Sequence, residues 1–349
     1  MPNRNASSTI TGFEYQVNVA IYFMFKYLKE ISSTNFEGEK EDVEINFNNS
    51  KKMMIQAKAQ ATNLYDESNN VSKLNKSLLS LAEADSKDVD SLCYVSNMLN
   101  PLKTPSNEFE YSGVTFKYYN ELSEESQRII DEQIRKNIGR KGQSYKVNTD
   151  KLAIIKLPFF GIDYEERHKF IIDEAKAVLT MMSDTLRCKG VSFVTFCEAR
   201  FLDSGKDAKI TISKRDFCDW IILTELDSLD LSNDGLNIGI EETDYYDAYQ
   251  KYKEFIDSKV SNYENYMRVY SLYNKKKIKE SVSINDFVKN EKISLYNYFF
   301  QDDISCKSEI DNHKRLDVYI SQILSYAILK KKSIIEKIKQ EANLWNWNI

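Results

Sequence analysis

Asp42, Gln56 and Lys58 are residue types that, brought together, hold a hard divalent cation and set a positive charge beside it. Cutting a phosphodiester at neutral pH needs an activated water and stabilisation of negative charge on phosphate oxygens, and a carboxylate-held Mg²⁺ or Mn²⁺ supplies both. The Asp42 carboxylate, the Gln56 side-chain oxygen and the Ala57 backbone carbonyl are the oxygen ligands such an ion prefers. Lys58, two residues beyond Gln56, can orient the attacking water or neutralise the scissile phosphate.

These side chains need two neighbouring strands. From Asp42 to Phe47, Val43, Ile45 and Phe47 alternate with Asp42, Glu44 and Asn46, the pattern of a strand with one polar face. Asn48-Asn49-Ser50-Lys51 is turn chemistry, and Met53 to Ala59 follows as a second extended run, so a hairpin brings Asp42 beside Gln56 and puts Gln56 and Lys58 on one face. Before the hairpin, Gly12 to Glu30 reads as an amphipathic helix carrying Tyr15, Val19, Tyr22 and Phe23, with Ser32 to Gly38 as a polar turn. Gln16 on that helix can reach the same ion or its water ligand.

After it, a helix is expected over residues 71–84, a short inner strand over 91–97, a strand over 113–118, a helix over 123–137 capped by Ser123, a strand over 152–160 and a helix over 164–187. The order implies an α/β domain, a mixed sheet flanked by helices, over residues 1–220. A mainly α-helical domain is expected over 221–349, with 228–244 as the linker. There Tyr245, Tyr249, Tyr252, Ile256, Val260, Tyr263, Met267 and Tyr270 recur at three- and four-residue spacing, a core or helix-pairing seam rather than a platform for bases. A last helix over 310–342 precedes the aromatic Leu344-Trp345-Asn346-Trp347.

A chain of 349 residues with only 10 Gly and 4 Pro suits two well-ordered domains. No apolar run is long enough to span a membrane and Met1 to Ser8 lacks the order of a signal peptide, so a cytoplasmic location is expected. The five cysteines are scattered and never in a CxxC pair, which excludes a disulfide framework and a zinc cluster. His168 and His313 have no Cys or His nearby in sequence, so neither His-metal nor His-nucleophile chemistry is indicated. The net charge of −5 excludes a protein that coats nucleic acid by overall charge, so any DNA contact is local. Lys51 and Lys52 at the hairpin turn, and Arg135, Lys136, Arg140 and Lys141 in a glycine-flanked stretch, are the candidate phosphate contacts. Lys275-Lys276-Lys277 and Lys330-Lys331-Lys332 read as charge at helix ends.

An Asp followed by a QxK on the wet face of a strand is also ordinary surface. What sets this pair apart is the combination of Gly12-Phe13-Glu14-Tyr15-Gln16, Glu41-Asp42-Val43-Glu44-Ile45 and Ile55-Gln56-Ala57-Lys58. Together they resemble the PD-(D/E)XK endonuclease domain of bacterial antiviral effectors, in its QxK variant. Such domains occur in cyclic-oligonucleotide-activated DNA endonucleases and in the nuclease subunit of Lamassu-type defence systems. The resemblance implies a restriction-endonuclease-like fold and Mg²⁺- or Mn²⁺-dependent cutting of double-stranded DNA by Asp42, Gln56 and Lys58, with Gln16 contributing. Gln56 stands where most of the family has Glu, so the ion has one charge less to hold it, to be made up by phosphate oxygens or Glu44. The helical C-terminal half is more similar to the Lamassu arrangement, which implies assembly with an SMC-like ATPase and a small accessory subunit, and activation by release and homo-oligomerisation. No GxxxxGK[ST] loop is present, so any ATP chemistry belongs to a partner. A catalytically inactive assembly subunit is the reading from outside the enzymes.

Overall fold

The computed structural model describes residues 6–36, 41–60, 67–104, 107–109, 112–137, 146–204, 210–227, 236–259, 263–300 and 312–344. The chain divides into two compact units, Met1–Met181 with Arg187–Lys214 and Met182–Leu186 with Arg215–Ile349. Among the described residues no helix is long and apolar enough to cross a membrane.

The first unit opens with helix α1 (Ala6–Lys26), then strands β1 (Ile31–Phe36), β2 (Val43–Phe47) and β3 (Lys52–Lys58), helix α2 (Glu67–Ala84) and strand β4 (Val89–Ser96). Strand β5 (Thr115–Tyr118), helix α3 (Glu124–Asn137), strand β6 (Leu152–Lys156) and helices α4 (Tyr164–Arg167), α5 (Lys169–Met182) and α7 (Gly190–Ser204) follow, and strand β7 (Ile210–Ser213) ends it; α6 (Asp184–Arg187), between α5 and α7, belongs to the second unit as far as Leu186. The seven strands form one mixed sheet in the order β5-β6-β4-β3-β2-β1-β7. β1, β2 and β3 are an antiparallel meander, β3, β4 and β6 run parallel, and β5 and β7 are antiparallel edge strands.

Side-chain alternation on β3 assigns the two faces. Met54 packs into a cluster with Leu74, Leu78 and Leu81 of α2, Leu92 and Tyr94 of β4, and Ile130 of α3. Met53, Ile55 and Ala57 point the other way and are equally buried, on the face where α1 packs against β1, β2 and β3 and meets α7. The sheet is thus covered by helices on both sides.

Two expectations needed correction. Residues 32–38, read as a polar turn, are mostly β1: its polar side chains satisfy one another across the sheet, Ser32 Oγ donating to Asn46 O, Asn46 Nδ2 to Ser33 Oγ and Thr211 Oγ1 to Asn35 Oδ1, so no apolar alternation marks it. The single helix expected over 164–187 is three, broken at His168 and Ser183.

The second unit is helical: α8 (Lys214–Asp227), α9 (Glu242–Lys259), α10 (Tyr263–Glu280), α11 (Ile284–Asn290), α12 (Lys292–Phe300), α13 (Asn312–Lys330) and α14 (Lys332–Glu341). The tyrosine seam falls on α9 and α10, and the expected last helix breaks at Lys331. α13 is the axle of this unit. Ile320, Ile323, Leu324, Ala327 and Ile328 are buried on it, Gln322 donates to the carbonyls of Ile238 and Val288, and Tyr270 Oη donates to Ile328 O at 3.0 Å. Residues 228–235, in the proposed linker, and Trp345 to Ile349 lie outside the described residues.

Candidate active site

The β2–β3 register, Val43 opposite Ile55, places Asp42 opposite Gln56 at the head of the hairpin, on the α2 side of the sheet. Asp42 Oδ2 accepts from the Ala57 backbone N–H and from Lys58 Nζ, each at 2.9 Å. Both side chains of this ion pair are half-buried, which strengthens their attraction relative to a surface pair. Ala57 therefore meets Asp42 through its amide.

Glu41, which the sequence reading passed over, completes the cluster. The bend at residues 41–42 breaks the strand alternation and turns two consecutive carboxylates toward the same region. Glu41 is buried, and neither carboxylate oxygen has a hydrogen-bond partner of good geometry. Burial pushes its carboxyl up, to about 7; the side chains of Gln56 and Ser80 pull it down, the Asp42 charge raises it further and Lys58 opposes. Gln56 is itself buried beside it. An under-satisfied buried carboxylate next to a second carboxylate and an amide is a donor set that fits a hard divalent cation, with Asp42, Glu41 and Gln56 as the oxygens.

The surrounding rim is tied together. Asn97 receives the Gln60 N–H at 2.8 Å and donates to Gln60 O and Phe159 O, the Leu157 N–H donates to Ser96 O, and Lys73 on α2 donates to Ala59 O at 2.6 Å. These bonds lock the C-terminal ends of the parallel strands β3, β4 and β6, the edge at which α/β sheets carry their sites. Lys58, Ser96 and Lys156 share one row across the sheet, but Lys156 is buried and donates to Phe109 O, so it supports the rim from within.

The remaining candidates scatter. Gln16 is half-buried on α1 and makes no hydrogen bond to Asp42 or Lys58. Lys51 pairs with Asp90 and Lys52 with Glu44 and Asp88, at the opposite end of β3, about 20 Å from Lys58 at ~3.3 Å per residue. The pairing with Lys52 also takes Glu44 out of the set of cation ligands. Arg135 and Lys136 are exposed at the end of α3, where Asn137 donates to Asn75 O. Asn75 is two residues from Lys73, so this end of α3 lies toward the Lys58 end of the sheet. Arg140 and Lys141 lie outside the described residues.

No family model matches the chain, and no curated protein or solved structure is significantly similar to it.

Proposed function

We propose that the chain is a Mg²⁺-dependent endonuclease of the PD-(D/E)XK type that hydrolyses double-stranded DNA, the effector subunit of a bacterial defence complex. The observation that carries this reading is the contact of Asp42 with Lys58 at the head of the hairpin, with the unsatisfied Glu41 and the Gln56 amide beside it. When bound, the cation supplies an activated water and neutralises phosphate charge. Asp42 and Glu41 bring the negative charge that holds it, and Gln56 a neutral oxygen. Asp42 also fixes Lys58, whose ammonium stands at the mouth of the cluster, able to hold the attacking water or the non-bridging phosphate oxygen. The basic end of α3 offers phosphate contacts on the same side, and a mixed sheet flanked by helices is the frame such a nuclease needs.

The helical second unit is read as the assembly element toward an SMC-like ATPase and a small accessory subunit, with homo-oligomerisation switching on cutting. Plasmid DNA incubated with the purified chain, alone and with those partners, is expected to be degraded in Mg²⁺ or Mn²⁺ and spared in chelator. Lys58→Ala should reduce the rate by about 10²–10³-fold or more, the scale on which one electrostatic group at a transition state acts. Cutting that survives Lys58→Ala overturns the site. No cutting in any metal or assembly state would overturn the activity and leave the assembly role alone.

A further inference from the structure

On the α1 side of the same sheet, away from the Asp42 cluster, His168, Glu198 and Glu14 bring three ligand atoms within 4.8 Å of one another. They come from the junction of α4 and α5, from α7 and from α1, so nothing in the linear sequence signals the grouping. We infer that Glu14, His168 and Glu198 form a binding site for a first-row divalent cation, Zn²⁺ by preference, that fastens α1, α5 and α7 together.

The tautomer of His168 is the first argument. Its Nδ1 lies 2.8 Å from Tyr164 O, an atom that only accepts, so Nδ1 carries a proton. Its Nε2 faces Glu198 Oε1 at 2.9 Å and Glu14 Oε1 at 3.7 Å, two further acceptors. With Nε2 as an acceptor, three ligand atoms converge on one region, and a cation between them answers all three. A second ring proton can lie along only one of those lines; a metal ion serves all three. Ligands about 2.1 Å from an ion are roughly 3.0 Å apart at right angles and roughly 3.4 Å apart at the tetrahedral angle, against 2.9 and 3.7 Å from Nε2 to the two carboxylate oxygens. An Nδ1–H bound to a backbone carbonyl is also the usual way a protein orients a metal-binding imidazole.

The second argument is how the ligands are held. The imidazole is wholly buried, stacked on Tyr164 with ring centroids 3.9 Å apart and met edge-on by Phe159 at 4.8 Å. Glu198 Oε2 accepts from Tyr164 Oη at 2.7 Å, Thr195 Oγ1 donates to that hydroxyl, and Glu198 Oε1 accepts from Asn18 Nδ2. Asn18 is fully buried, its Nδ2 donates to Glu14 O and to Glu198 Oε1, and its Oδ1 has no hydrogen-bond partner. Arg167 reaches Glu14 Oε1 at 3.4 Å, a long contact from a half-exposed side chain. Two carboxylates against one guanidinium leave net negative charge for a cation to neutralise, and the half-exposed Glu14 gives it a way in from solvent. An imidazole with carboxylates selects Zn²⁺ and its first-row neighbours over Mg²⁺, which avoids nitrogen.

The test uses the full chain carrying Asp42→Asn, to silence the other cluster, stripped with chelator and titrated with Co²⁺ and Zn²⁺. We expect stoichiometric binding, a visible Co²⁺ absorption band displaced by Zn²⁺ and untouched by excess Mg²⁺, and a higher unfolding temperature with Zn²⁺. Glu14→Gln should weaken binding by at least about tenfold, and His168→Asn should abolish the band. If His168→Asn fails to fold, the half-exposed Glu14→Gln, checked by circular dichroism, carries the comparison. Absence of stoichiometric binding, or parental affinity retained in both Glu14→Gln and Glu198→Gln, overturns the site and leaves His168 hydrogen-bonded between the two glutamates.

Discussion

A buried carboxylate without good hydrogen bonds is a standing cost to the fold, and Glu41 bears that cost where a cation beside Asp42 would relieve it. Glu41→Gln should therefore separate stability from activity. Unfolding in urea at pH 8 is expected to show a gain of about 1–3 kcal/mol, because a buried and poorly compensated charge is gone. The divalent-ion concentration needed for DNA cleavage is expected to rise. Lower stability with an unchanged metal requirement would make Glu41 a structural residue and leave Asp42 and Gln56 as the only side-chain ligands. The Asp42 and Gln56-x-Lys58 spacing was legible in the sequence because the hairpin's two-residue period fixes which side chains share a face. Glu41 was not, since the same period sends neighbouring residues to opposite faces, and only the bend at residues 41–42 reverses that. The basic residues were the least legible: Lys51 and Lys52 look like phosphate ligands in one dimension and are ion-paired in three.

Among the elements, the hairpin and α1 each hold a position where conformation and residue type disagree. Ser50 closes the β2–β3 turn at φ +64°, a left-handed conformation that costs an ordinary residue about 1–2 kcal/mol. Ser50→Gly should raise the urea midpoint by the equivalent of about 1 kcal/mol; no change would mean that the turn relaxes to another geometry. Gly12 sits inside α1, and a Cβ there would meet nothing within 4 Å. Gly12→Ala should stabilise the chain by about 0.5–1 kcal/mol. If cleavage falls while stability rises, the glycine serves the approach of a substrate rather than the fold. β2 and α3 could be read from their periods, whereas α1, expected to bury one face, is buried without interruption from Val17 to Phe25, and β3 is buried on both faces. β1 could not, because its polar side chains pair with β2 and β7. The break at His168 was equally hidden, because the ring is held by Glu198 from a distant helix.

At the scale of the whole molecule, a helical second half was visible in the three- and four-residue spacing, but the break at Lys331 was not, since no glycine or proline marks it. What holds that unit is α13 and a few buried polar groups. Lys331 Nζ lies 2.5 Å from the fully buried Glu225. Asp219 on α8 is buried, with Oδ1 lacking a hydrogen-bond partner. Burial raises its carboxyl to about 8, opposed by Arg215 and reinforced by Asp216. For a carboxyl raised in the folded state, the native form binds the extra proton between its ordinary value near 3.8 and about 8, so stability is greatest below that window and falls as pH rises through it. Between pH 5 and 8 the loss from this one group is at most about 4 kcal/mol, at roughly 1.4 kcal/mol per pH unit. Asp219→Asn cannot ionise. Its urea midpoints across that range should stay flatter than those of the parent chain, with the difference largest at pH 8. Parallel pH profiles for the two proteins would show that Asp219 ionises freely in the folded state and that α8 is open to water there.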